Sequence, residues 1–166
     1  MPAVVPARGS RRLLIIPAAA DILAITLPEL AAGDDISCYL DGPNAIDHTD
    51  EVGVIEQNPY CSNVTLQLDG VEKPTLNVEY TLNLNSPTDD VARLALPQGT
   101  TGIAVHLTQI DQDEFTYAAD DWYQAIRFQA SKPMLVKTED NRPDLIRQRL
   151  NARSKWTPLS QLVAGS

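Results

Sequence analysis

Apolar and polar residues alternate along much of this chain in short runs separated by turn residues. The clearest run sets Leu76, Val78, Tyr80, Leu82 and Leu84 against Asn77, Glu79, Thr81 and Asn83, a period-two pattern that predicts a strand with one apolar and one polar face. Val64, Leu66 and Leu68 alternate with Thr65 and Gln67, and Asp69-Gly70 through Pro74 predicts a hairpin connection between the two runs. Further strands are predicted from Ile36 to Leu40, from Ile103 to Ile110 and from Trp122 to Gln129, closed by turn residues such as Asp41-Gly42-Pro43 and Lys132-Pro133. Leu13 to Ile16 is a four-residue apolar run ended by Pro17 and Asp21. It is shorter than the roughly 7–15 residues of an export signal and predicts a short strand or anchoring arm. On that reading the Asn63-Val64-Thr65 sequon carries no meaning.

Helical signals are few. Asp89 and Asp90 precede Val91, Ala92, Leu94 and Ala95, so a short helix is predicted, capped by Ser86 or Thr88 and stopped by Pro97. Gln98 to Gly102 is a glycine-rich turn that leads into a strand and has no lysine, the reverse of the order a phosphate loop requires. After Pro143, Leu145, Ile146 and Leu150 with Arg147, Arg149 and Arg153 predict a short basic helix or arm. The class that follows is mainly β, with antiparallel sheets in a sandwich or barrel-like packing, one flanking helix and extended terminal arms. The expected division is a basic N-terminal arm over 1–20, a β-sandwich body over 21–138 and a basic arm or short helix over 139–166.

With 166 residues, 43% hydrophobic and 21% charged, the chain has one domain's length and is too apolar for a disordered acidic segment. No apolar window is long enough to span a bilayer, and no membrane partner is expected. The formal charge of −9 is unevenly spread: +3 over residues 1–20, −16 over 21–130 and +4 over 131–166. An acidic body with basic ends suits termini that dock on a neighbour's acidic surface. The same body repels phosphate, so contact with nucleic acid is expected only from the ends.

Candidate chemistry is sparse. His106 reads as an ordinary strand histidine, and His48 lies in the acidic stretch Asp47-His48-Thr49-Asp50-Glu51, which predicts a solvated loop because it lacks the spacing of a calcium loop. Carboxylate pairs at Asp34-Asp35, Asp89-Asp90, Asp111 and Asp113 with Glu114, and Asp120-Asp121 fall at turns and caps, where Asp bonds its own backbone. Cys38 and Cys61 are compatible with a bridge or with two thiols. No catalytic group, metal site or cofactor is expected.

The segments Leu27-Pro28-Glu29-Leu30-Ala31-Ala32-Gly33-Asp34-Asp35-Ile36-Ser37, Asp89 to Ala95 and Gly99-Thr100-Thr101-Gly102-Ile103 resemble, in order and kind, the tail tube (major tail) proteins of long-tailed, non-contractile (siphovirus-type) bacteriophages. The resemblance covers residues 13–138. It implies a virion protein assembled in the host bacterial cytoplasm, with hexameric rings stacked into a tube and an acidic lumen through which DNA passes during ejection. Its implied partners are copies of itself, the tape measure, the tail terminator and the tail tip. Within that frame Asn77, Glu79, Thr81 and Asn83 are the expected lumen-facing residues. Arg8, Arg11, Arg12, Arg147, Arg149 and Arg153 are the expected contacts between subunits or rings. Two other readings remain: a tail terminator or head–tail connector forming one closed ring, and a secreted or surface β-sandwich binding module.

Overall fold

A computed structural model describes residues 10–41, 45–57, 60, 65–83, 86, 88–110, 116–136 and 142–165, with the backbone alone at 66. Arg8, Cys61, Asn63, Val64, Leu84, Asp111, Asp113 and Glu114 lie outside them. Residues Arg12–Ile16 form β1 and Leu27–Ala31 form α1, followed by a two-residue β2 at Asp34–Asp35 and a 3-10 turn at Ser37–Tyr39. Then come β3 (Ile46–Gln57), β4 (Leu66–Thr81), α2 (Val91–Ala95), β5 (Thr101–Thr108) and β6 (Trp122–Ala130). The last elements are β7 (Met134–Val136), β8 (Leu145–Ala152) and β9 (Ser160–Gln161). The fold is mainly β, as the alternation predicts.

Among the described residues, all pairs of named strands are antiparallel and belong to one nine-stranded sheet of order β2-β1-β5-β6-β8-β4-β3, with β7 on β8 and β9 on β6. The strands thus form one sheet instead of two stacked ones. The sheet curls so that Leu13 and Ile15 of β1 share an apolar cluster with Leu76, Val78 and Tyr80 of β4 and with Phe128 and Leu150. The opposite face of β1, β5 and β6 supplies Leu14, Ile16, Ile103, Val105 and Tyr123 to a second cluster, closed by Ile25 and Leu30 around α1 and by Leu162. A strand covered on both faces needs apolar residues at every position, which is why Leu13 to Ile16 reads as an unbroken run.

Several local expectations are corrected. Asp69-Gly70 is not a hairpin turn: Leu66 to Thr81 is one 16-residue strand. The glycine marks a bulge, since the β3–β4 register shifts between Val52 and Val54, and a Cβ on Gly70 would lie 2.7 Å from the Gly53 carbonyl oxygen. Residues Ile36 to Leu40 form a 3-10 turn in place of a strand, held by Ser37, whose hydroxyl accepts from the Leu13 amide and whose amide donates to Asp35. The acidic stretch at 47–51 is part of β3, not a loop. The segment after Pro143 is the sheet strand β8, not a helix, with Ile146, Gln148 and Leu150 inward and Arg147 and Arg149 outward.

Two of the expected arms therefore contain structural strands. Buried β1 starts at Arg12, and β8 lies between β6 and β4, so residues 20 and 138 do not bound the sheet. At α2 the residue preceding the helix is Asp90, without a side-chain cap bond; its carboxylate accepts from Arg93 Nε at 2.9 Å. At α1, Thr26 and Glu29 form a reciprocal capping box.

Candidate functional site

Two surfaces of the sheet carry exposed, chemically distinctive residues. The first is the outward face of β3, β4, β8 and β7. Register places Asp47, Asn77 and Arg149 in one row across three strands, and Glu79, Arg147 and Met134 in the next. Asn77 donates to Asp47 at 3.4 Å, and Glu79 accepts from Arg147 Nε at 2.6 Å.

Glu79 and Arg147 were expected in different roles, one towards a lumen and one towards a neighbouring subunit. Within this chain they are partners. Glu79 is only 4% exposed, so a large part of its charge is spent inside the subunit. Asn77 and Thr81 are half-buried and Asn83 is exposed. Asn83 lies beyond the end of β4, where its backbone amide donates to Asp90. Arg149 stands exposed beside Asn77, and Arg153 contacts Gln129 from the end of β8.

Arg11 and Arg12 lie at the start of β1. Arg12 is buried, with Nη1 donating to the Arg11 carbonyl at 3.0 Å; Arg11 is exposed. The fold therefore gathers Arg147 and Arg149 on one face and leaves Arg11, Arg12 and Arg153 at other places.

The second surface was missed from the sequence. The β3–β4 pair continues past Asp50↔Pro74 to Gln57↔Leu66, a ribbon roughly 25 Å long at about 3.3 Å per residue. Its β3 side chains are exposed from Thr49 onward. The bulge sets Gly70 and Val71 of β4 opposite Gly53, so Ile55, Leu68 and Val71 fall on one face, while Val52 and Val54 occupy the other. All five are exposed, Val71 at 73%. The alternation Val52-Gly53-Val54-Ile55 was legible, but the preceding acids disguised it.

At the root of this ribbon His48 and His106 meet. Their rings lie 4.9 Å apart, edge to face, and Trp156 lies 4.9 Å from His48 on a tilted plane. Burial, then His48, then Arg11 push the His106 imidazole down to about 4. His48 is lowered by burial and by Arg11, against the pull of Asp47. A shallow pocket of about 590 Å³ opens here, lined by His48, Asp50, Glu72, Gln124, Lys155 and Trp156 among others. Lys155 pairs with Glu72 at 2.8 Å.

Cys38 is a free, exposed thiol. Asp35 accepts from Ser37 and Tyr117, so this carboxylate has a structural partner on each side. No group of three or more His, Cys, Asp or Glu is placed to hold a metal among the described residues. Among them, too, no helix is long and apolar enough to cross a membrane.

Comparison with known proteins gives a family match and a likeness to solved structures. A family model described as phage tail tube protein matches residues 1–165. Among solved structures, a chain of the anti-feeding prophage baseplate, determined by cryo-electron microscopy with six-fold symmetrisation, superposes with a TM-score of 0.53 at 14% identity. The alignment covers 93% of this chain and 97% of that one. At that identity the likeness is one of fold. No curated protein sequence matches significantly.

Proposed function

The chain belongs to the phage tail tube protein family, and we propose that it assembles into stacked hexameric rings whose channel conducts DNA during ejection. It is a structural tail protein by family; the ring number is taken from the six-fold baseplate assembly that contains its structural neighbour.

The single observation that carries the assembly reading is the projecting β3–β4 ribbon. Exposed valines, isoleucine and leucine on both faces of an extended ribbon are a large apolar surface for one subunit to leave in water. The outer edge of β3 has no strand partner among the described residues, and a second copy would satisfy both the apolar surface and the open edge. The outward β4 face with Asn77, Glu79 and Thr81 is the proposed channel lining. Its polarity and the acidic body disfavour adhesion of DNA. Arg8, Arg11, Arg149 and Arg153 are proposed to meet acidic surfaces of adjacent copies, with Arg147 contributing what Glu79 leaves of its charge; Arg12, buried within the subunit, is left out of this role. The tape measure, tail terminator and tail tip are the proposed further partners, and the virion, assembled in the bacterial cytoplasm, is the proposed location.

Negative-stain electron microscopy of the purified chain at low and high salt tests this. Stacked rings with a central channel are expected, fewer at high salt because exposed ion pairs are screened over about 3 Å at 1 M. Isolated rings would favour a terminator or connector, and monomers at high concentration would contradict assembly. Because Arg12 begins β1, a truncation that tests the N-terminal arm should remove residues 1–9 and spare the strand. It is expected to impair stacking more than folding.

A further inference from the structure

The histidine stack at the ribbon root has no role in the proposed channel, and it joins β3 to the body where Trp156 packs on the main apolar cluster. Among the described residues strand β3 pairs only with β4, and of its side chains only Ile46 and His48 are even half-buried. His48 is thus one of two side chains that fasten this strand to the body. It reaches His106 of β5, across the curl of the sheet, and Trp156 in the segment after β8. His106 is 6% exposed, and its Nε2 has no partner among the described residues, nor has the Trp156 indole nitrogen.

We propose that the His48–His106–Trp156 stack is an acid-sensitive latch, fixing the root of the β3–β4 ribbon at neutral pH and releasing it when an imidazole takes up a proton. A positive charge there has poor surroundings from most sides. From the start of β1, Arg11 adds a like charge to both rings. On β5's neighbours, His106 is flanked by Leu13 and Gln124. From β3, Asp47 favours a charged His48, and Asp50 lines the same pocket. From β4, Glu72 is engaged by Lys155, which itself brings a cation from the segment after β8. Asp50 and Glu72 line the open pocket, Asp47 bonds Asn77 on the outward face, and His106 is not among the pocket's lining residues.

The sign follows from the direction of the shift. A histidine held below its ordinary value of 6.5 leaves the latch at full strength above that pH, and strength is lost as pH falls towards the folded value. With the folded His106 at about 4, the ratio of latched to released ribbon falls about 30-fold between neutral pH and pH 5. It keeps falling towards pH 4 and then levels off.

The test uses the full, unassembled chain. Amide hydrogen exchange is followed over β3 residues 46–50 from pH 7.5 to 5, corrected for intrinsic exchange. In a Trp122→Phe background Trp156 is the sole fluorescent indole and reports the ring contact. Protection at the ribbon root should fall about 30-fold while β5 and β6 amides hold theirs, and Trp156 emission should change with it. His106→Gln and His48→Gln, checked for folding by circular dichroism, should each flatten both responses. Unchanged protection in the unsubstituted chain, or the same pH dependence in both folded variants, would overturn the latch. Since no tube is needed, failure here leaves the assembly reading standing, and failure to form tubes leaves the latch standing.

Discussion

Replacing Ile55 and Leu68 together with serine separates the folding of the chain from its assembly. The two residues face each other across the ribbon and are 52% and 51% exposed, so each already hides about half of its side chain within the subunit. Fully burying such a side chain contributes about 1.5–3 kcal/mol. Covering the remaining half on a neighbouring copy is worth about 1 kcal/mol apiece, or about 2 kcal/mol per contact. At 1.4 kcal/mol per factor of ten, that weakens each contact roughly 30-fold. Neither residue belongs to an apolar core cluster, and the two halves hidden within the subunit are worth about 2 kcal/mol by the same arithmetic, so the isolated subunit should lose no more than about 2 kcal/mol in urea and stay folded. The assay is the critical concentration for assembly, read by sedimentation, beside a urea transition on the unassembled fraction. A rise of tenfold or more with the fold intact is expected. An unchanged critical concentration in a folded variant would refute the role given to the ribbon, and loss of folding would show that the two side chains serve the subunit itself.

Three further outcomes are expected of the subunit. Arg147→Ala leaves Glu79 buried without its cation, and urea denaturation should show a loss of about 1–3 kcal/mol; the figure is kept low because the Arg147 side chain is 53% exposed. Gln148→Leu removes the acceptor of the Tyr80 hydroxyl at 2.9 Å and the donor to the Leu96 and Ser131 carbonyls at 2.9 and 2.7 Å, and should cost about 3 kcal/mol in the same assay. The Tyr80 phenol is pushed up to about 12 by burial and Asp90, with Arg93 opposing. Its share of stability is therefore present below pH 10 and lost as pH rises towards 12, so Tyr80→Phe should flatten the alkaline end of the stability profile measured by chemical denaturation.

Much of the sheet was legible because its strands obey simple patterns. Leu76, Val78 and Tyr80 fall inward as the alternation requires, and Leu13 to Ile16 is apolar throughout because both of its faces are covered. The errors have physical causes. Gln148 is a polar residue with all its bonds made inside, so the inward row Ile146, Gln148, Leu150 lost its apolar signature and the arginines between suggested a basic helix. Gly70 imitates a turn residue but answers a close backbone approach at a bulge. The capping box of Thr26 and Glu29 was present in the sequence and went unused.

Of the candidate site, the outward placement of Asn77 and Glu79 follows from period two, whereas the engagement of Glu79 by Arg147 depends on which strand lies beside β4. Likewise His48 and His106 come together through the curl of the sheet, a non-local contact that no spacing in the chain announces. Turn chemistry and periodicity act over a few residues, while these partnerships are set by topology.

The most direct measurement is a cryo-electron microscopy reconstruction of the assembled protein, resolved well enough to trace strands. A hollow tube of stacked rings is predicted, with residues 50–57 and 66–74 of each subunit buried against a neighbouring copy. Assemblies in which that ribbon stands free in solvent would contradict it.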